Sequence, residues 1–218
     1  MSQYRVIIID DERLAREEIK QHLLDYPDLA IAAEAADADD AERQITQLQP
    51  DLVFLDIQMP ERSGLQLLES LEHVPEVIFT TAYDQYAVKA FELNALDYLV
   101  KPIRRERFAQ AMEKARSRLS AKPTAKMERT FFIKEGDRYH FVKAKDVALV
   151  ESAGNYARLF VDGKKLYLKR SLNQLEKNLD PGIFFRISRT EIININYIKQ
   201  VLQQPKGKLT VLLQTGES

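Results

Sequence analysis

The 218-residue sequence predicts an α/β chain: a (βα)5 doubly wound parallel sheet followed by a mostly β domain. Three observations carry that expectation. Strand-like apolar runs alternate with helical stripes five times in the first half. A polar, proline-containing stretch follows, after which the apolar period shifts from 3.6 towards two. The net charge of −1 also divides: 14 Lys+Arg face 23 Asp+Glu through Arg118, giving −9, while 18 face 10 from Leu119 onward, giving +8.

The elements follow in order. Val6–Ile9 is an unbroken apolar run ending at Asp10, as suits a parallel strand covered on both faces. Ala15, Ile19, Leu23 and Tyr26 lie on one helical stripe, and Leu29–Ala33 reads as a second strand. Asp39 with Glu42 three residues on resembles a capping box, with Ala41, Ile45 and Leu48 forming the inner helix face. Leu52–Leu55 is the third strand and ends at Asp56. After Pro60 and Gly64 come a helix over Leu65–Leu71, a strand over Val77–Thr80 and a weaker helix over Gln85–Leu93. A short strand, Tyr98–Val100, leads into Lys101-Pro102. Phe108, Met112, Ala115 and Leu119 then mark the last helix.

The first domain is thus expected over 1–119, a linker over 120–129 and the second domain over 130–218. In the second domain, Phe131–Ile133, Tyr139–Val142, Val147–Glu151, Ala157–Val161 and Leu166–Leu168 read as strands. Asp162-Gly163 signals a hairpin. Ser171 and Gln174 open a helix that Asp180-Pro181-Gly182 ends, and Ile198–Leu202 with Leu209–Leu213 forms a final hairpin through Lys206-Gly207.

No cysteine is present, so disulfides, thiolate catalysis and cysteine-ligated zinc are excluded. No apolar run has membrane-spanning length, and MSQYRVIIIDDE is too short in apolar residues for a signal peptide. A cytoplasmic protein with no membrane partner is expected.

Asp10, Asp11, Asp56, Thr81 and Lys101 fall at or just after the carboxyl ends of the first, third, fourth and fifth strands. In a parallel sheet these ends converge on one edge. Three carboxylates there repel one another unless a hard cation neutralises them, and Mg2+ accepts such oxygen ligands. A carboxylate can also form an aspartyl phosphate, while an ammonium and a hydroxyl suit the other phosphoryl oxygens. Taken singly, each residue has a plainer role as a helix cap, a solvated side chain or a strand end. An aspartate-based phosphohydrolase is the enzymatic alternative, but such enzymes place Asp-x-Asp after the first strand. A flavodoxin-type binder would need a Ser/Thr/Gly-rich phosphate loop there.

Asp10-Asp11-Glu12, Asp56 with Met59-Pro60 and Gly64, Thr81-Ala82 and Tyr98-Leu99-Val100-Lys101-Pro102 resemble the receiver domain of two-component response regulators over the first 120 residues. The resemblance implies Asp56 as phospho-acceptor, with Mg2+ held by Asp10, Asp11, Asp56 and the backbone carbonyl of Gln58. Lys101 would pair with the phosphoryl group, Thr81 would be the switch hydroxyl and Tyr98 the switch aromatic. It further implies a cis Lys101–Pro102 bond and a sensor histidine kinase as phosphodonor. The chain would then be no dedicated enzyme, its receiver catalysing only its own phosphoryl transfer and dephosphorylation. A homodimer on phosphorylation is expected through the fourth helix, fifth strand and fifth helix, using Lys89, Glu92, Asp97 and Arg105.

In the basic half, Lys143/Lys145, Lys164/Lys165, Lys169/Arg170 and Lys206/Lys208 suit either nucleic acid or solvated strand edges. Val150–Leu159 and Phe184–Asn194 resemble the two signatures of the LytTR DNA-binding domain. That resemblance implies an elongated β fold binding double-stranded DNA, with Asn155, Tyr156 and Arg158 on one DNA-facing loop and strand start and Arg189 on another. Ser188 departs from the more usual histidine and Thr190 from serine. The chain also ends where the family continues, so a C-terminally truncated domain is expected. A protein-binding second domain is the alternative to a DNA-binding one.

Overall fold

The structure is a computed structural model, and it describes residues 3–82, 95–120, 129–205 and 209–216. The chain folds as two compact units.

In the first unit the elements run β1 (Tyr4–Ile9), α1 (Arg13–Leu23), β2 (Leu29–Ala35), α2 (Ala38–Leu48), β3 (Leu52–Asp56), α3 (Gly64–Ser70), β4 (Glu76–Thr81), β5 (Asp97–Val100) and α4 (Arg105–Ser120). The strands form one sheet in the order β2-β1-β3-β4-β5, every pair parallel. Chain order reverses beside β1, so the ends of β1 and β3 flank the crevice where doubly wound sheets hold ligands. Val6, Ile7, Ile8 and Ile9 are all fully buried because both faces of β1 are covered. Each such side chain contributes about 1.5–3 kcal/mol relative to exposure. Phe108 of α4 stacks on Phe54 of β3 at 5.6 Å, tying the last helix to the central strand.

One helix start differs from expectation. α2 is capped by Asp37, whose side chain accepts from the Asp40 amide at 2.8 Å, and not by Asp39. Asp39 lies inside the first turn, where its charge meets Arg62 at 2.8 Å. The expected helix over Gln85–Leu93 lies outside the described residues.

Beyond residues 120–129, β6 (Thr130–Glu135) pairs with β7 (Arg138–Lys143). A short 3-10 turn then leads to β8 (Val147–Ala153), β9 (Tyr156–Val161), β10 (Lys164–Leu168), α5 (Leu172–Asn178), β11 (Phe184–Arg186) and β12 (Glu191–Asn194). The chain continues through a second 3-10 turn into the hairpin of β13 (Ile198–Gln203) and β14 (Leu209–Leu213). The central antiparallel sheet has the order β10-β9-β8-β12-β11.

β11 and β12 are absent from the sequence-based expectation. They hold three and four residues, too short to show a period, and the polar run Ser188–Thr190 separates them. The capping box of Ser171 and Gln174 forms as expected. Asp162 and Gly163 have φ of 47° and 74°, the pair of positive values that a type I′ hairpin turn requires.

This sheet is buried on both faces. Val150, Leu159 and Ile192 join one apolar cluster with Phe131, Ile133 and Leu175 of β6 and α5. Their neighbours Leu149, Phe160 and Ile193 point the other way and pack with Leu213, Tyr197 and Val211. The alternation along each strand follows from the two-residue period of the pleat. Fully buried Asn194 donates to the carbonyls of Lys145 and Val147 at 3.1 and 2.9 Å, satisfying backbone at the corner between strands.

Candidate functional site

The first unit gathers its charge at one edge of the sheet. Asp10 follows β1 and is fully buried, Asp56 ends β3 and is 5% exposed, Thr81 ends β4, and Lys101 follows β5. Asp11 is exposed, yet carboxylate oxygens of Asp10, Asp11 and Asp56 come within 4.8 Å of one another. The Nζ of Lys101 stands 2.8 Å from Asp10 Oδ2 and 2.6 Å from Asp56 Oδ2, with Glu12 at 3.6 Å.

The backbone fixes these groups. The Glu12 amide donates to Asp10 Oδ1 at 3.0 Å, and the Gln58 amide donates to Asp56 Oδ1 at 2.9 Å. The Lys101 amide donates to the Thr81 carbonyl at 2.8 Å, and the Lys101–Pro102 bond is cis. Burial pushes the Asp10 carboxyl above its ordinary pKa, against the pull of Lys101, and the nearby Asp56 charge pushes the same way. Burial draws Lys101 down, but its contacts with Asp10 and Asp56 outweigh that and hold it above its ordinary value.

These carboxylates are a hard, all-oxygen donor set compatible with Mg2+. The single ammonium of Lys101 balances only part of their charge, which leaves a role for a further cation. Thr81 is fully buried and Tyr98 is 9% exposed.

Two residues act here in ways the sequence did not disclose. A Cβ on Gly64 would lie 2.2 Å from the main-chain oxygen of Asp56, so the loop after β3 closes only over a hydrogen. Arg16, one turn into α1, donates to the Asp10 carbonyl at 2.7 Å and pairs with Glu34 at 3.2 Å. Its signal in the sequence is a basic residue near the start of a helix, where acidic residues are favoured. Of the residues expected at a dimer face, Asp97 is held inside the unit by Arg107, and Arg105 pairs with Asp25. Lys89 and Glu92 lie outside the described residues.

In the second unit, β8 and β9 meet in a two-residue loop, Gly154-Asn155, with Gly154 at φ 64°. Asn155 is exposed at this tip and Tyr156 is 44% exposed beside it. Arg158 is half-buried: it donates to Glu151 at 3.0 Å and lies over the Tyr167 ring. Arg189 is exposed in the turn from β11 to β12. The Ser152 amide donates to the Thr190 carbonyl at 2.8 Å, so both turns stand at the same end of the sheet.

A doubly wound sheet with this acid–lysine cluster, on a chain that also carries a small β unit, defines the class of response regulators. Residues 6–113 match the family model of the response regulator receiver domain, and residues 137–218 match that of the LytTr DNA-binding domain. The chain is 35% identical to the sensory transduction protein LytT of Enterococcus faecalis, covering 97% of this chain and 91% of that protein. It is 33% identical to the transcriptional regulatory protein BtsR of Escherichia coli over the same shares. The response regulatory domain of mrkE from Klebsiella pneumoniae covers 54% of this chain and 99% of its own, at 30% identity and a TM-score of 0.50.

The chain therefore belongs to the LytTR family of two-component response regulators. It is a regulator of transcription, and phosphorylation switching is the family's general mechanism. Its two domains imply a histidine kinase phosphodonor and a DNA target. Among the described residues, no helix is long and apolar enough to cross a membrane.

Proposed function

We propose that Asp56 accepts the phosphoryl group and that its phosphorylation switches DNA binding by the second domain. The observation that carries this is the contact of Lys101 Nζ with Asp56 Oδ2 at 2.6 Å, beside buried Asp10. A carboxylate oxygen of Asp56 attacks phosphorus while the bond from phosphorus to the kinase histidine breaks and its electron pair returns to the imidazole. Asp10, Asp11, Asp56 and the Gln58 carbonyl would hold Mg2+, which when bound offsets charge on the transferring group. Lys101 then meets one phosphoryl oxygen and the Thr81 hydroxyl another. Thr81 vacates space that Tyr98 fills, which repacks the surface around β5 and favours a homodimer.

The output is DNA recognition by Asn155, Tyr156, Arg158 and Arg189 from the two adjacent turns. Arginine can read guanine or grip phosphate, and asparagine can read adenine. The receiver would span 1–119 and the DNA-binding domain 130–218, with 120–129 between them, in the cytoplasm. Acetyl phosphate with Mg2+ should add one phosphoryl group to the parent and none to Asp56→Asn. Labelling of Asp56→Asn at the parental level would refute the assignment. A parent whose affinity for a duplex selected from random DNA is unchanged on phosphorylation would refute the switch.

A further inference from the structure

Arg186, the last residue of β11, holds the turn that carries Arg189. Its Nε donates to the Ser188 carbonyl at 3.1 Å and its Nη2 to the Arg189 carbonyl at 2.9 Å. Its Nη1 reaches back to α5, meeting Asn173 Oδ1 at 2.6 Å and Glu176 Oε2 at 2.7 Å. Four of the five guanidinium N–H donors are thereby engaged within the chain. The far side of the same turn is closed by Ser188, whose hydroxyl donates to Glu191 at 2.8 Å and accepts from the Thr190 amide at 3.1 Å.

A plainer account is that Arg186 is one more surface ion pair, since Glu176 is about half exposed. Such a pair alone contributes about 0–1 kcal/mol. That account does not explain why two consecutive turn carbonyls converge on one guanidinium. Exposed carbonyls satisfy themselves with water, and drawing both inward fixes the backbone between them. Only the planar fork of arginine can span two carbonyls and a helix together. The consequence falls on Arg189, which is exposed in the clamped turn, at the same end of the sheet as the Asn155 hairpin.

We infer that Arg186 is a positioning residue for DNA recognition, clamping the Ser188–Thr190 turn so that Arg189 is presented with its ordering cost already met. This rests on Arg189 being a DNA contact. Four of its five donors are already taken within the chain, which suits Arg186 to support the turn and not to contact DNA itself. Preorganisation of this kind raises affinity by reducing what must be ordered on binding.

The test uses the full chain, a duplex that the parent selects from random DNA, and amide exchange of the free protein. Arg186→Lys keeps the charge without the fork, Arg186→Met keeps the stem without either, and thermal melts establish that each variant is folded. Both should bind the duplex about tenfold more weakly, the scale of one freed side chain and its loop. Amide exchange should quicken at Ser188 to Thr190. Asn173→Ala, which removes one partner on α5, should give a smaller loss in the same direction. In an Arg189→Ala background the Arg186→Met loss should vanish, because the clamp acts through Arg189. A loss that multiplies with that of Arg189→Ala would mean Arg186 grips DNA itself, and the inference falls. Unchanged affinity in both Arg186 variants overturns it equally. Should Arg189→Ala alone bind like the parent, the contact assignment of Arg189 has failed, and the inference falls with it. Exchange in the free protein then still reports whether the clamp exists.

Discussion

The α-carbon of Gly64 faces the main-chain oxygen of Asp56 so closely that an added methyl would stand 2.2 Å from it. Leu55 closes the same space at 3.0 Å, so the strain cannot be relieved by one flexible side chain. Moving the Asp56 backbone is the remaining way out, and Asp56 Oδ1 is itself fixed by the Gln58 amide. Gly64→Ala should therefore cost about 1–3 kcal/mol of stability, as overpacking does. It should also slow labelling of Asp56 by acetyl phosphate. Urea melts and initial labelling rates check both effects, and parental values in both would refute the steric account.

Lys101 is the internal counter-ion of the acid cluster. Its side chain is 12% exposed, against 0% for Asp10 and 7% for Asp56. Breaking a buried pair strands charge at a cost of about 3–5 kcal/mol. Lys101→Met should therefore cost about 3–5 kcal/mol. The variant has one cation fewer, so added Mg2+ should raise its melting temperature more than the parent's. Melts in chelator and in excess Mg2+ read this difference. Equal shifts would show that lysine and metal do not serve the same carboxylates.

The first unit was legible in the sequence because its physics is local. Runs such as Val6–Ile9 and Leu52–Leu55 can only be buried strands, and their ends carry the charged residues in plain order. What could not be read is contact at a distance. Asp37 stands three residues before Asp40 just as Asp39 stands three before Glu42, and only the folded backbone, with the Asp40 amide on the Asp37 side chain, decides that Asp37 caps α2. Gly64 was visible as part of a motif, but its packing against Asp56 depends on how a loop closes. In the second unit β11 and β12 were missed because short strands get their stability from neighbours. Ile192 and Ile193 are strand residues because β8 and β11 lie on either side of them. Arg186 was visible only as one member of the Phe184–Asn194 signature, and its hold on the turn carbonyls depends on how that turn folds.

Asp97 offers a pH-dependent test outside the acid–lysine cluster. Burial pushes its carboxyl up, but Arg107 at 2.5 Å, the Tyr98 amide at 2.9 Å and Lys114 at 3.2 Å outweigh that and hold it below its ordinary value. A depressed carboxylate contributes stability above its unfolded pKa of about 3.9, and that contribution is lost as pH falls through the lower folded value. Asp97→Asn should cost on the order of 2 kcal/mol at neutral pH, after allowing for screening of its partly exposed partners. The difference from the parent should shrink below about pH 4. Chemical denaturation at pH 7, 5 and 3.5 measures it, and a gap that is constant with pH would refute the ion-pair origin.

Asn155 and Arg158 stand on one hairpin but should fail in different ways when removed. Asn155 is exposed at the loop tip, whereas Arg158 is braced by Glu151 at 3.0 Å and by the Tyr167 ring. Asn155→Ala should leave the melting temperature unchanged. If Asn155 reads a base, the variant should lose about 1–3 kcal/mol of preference for the selected duplex over a scrambled one. Arg158→Ala should lower the melting temperature as well, because it strands Glu151 and uncovers Tyr167. If Arg158 neutralises a phosphate, its removal should also lower the slope of log affinity against log salt by about 0.9. If Arg158 must leave Glu151 to grip phosphate, Glu151→Gln separates its two roles. That variant should free the guanidinium and bind DNA at least as tightly as the parent, with a lower melting temperature. Weaker binding by Glu151→Gln would instead mean that the ion pair holds Arg158 in its binding position, and that the arginine does not have to leave it to meet DNA.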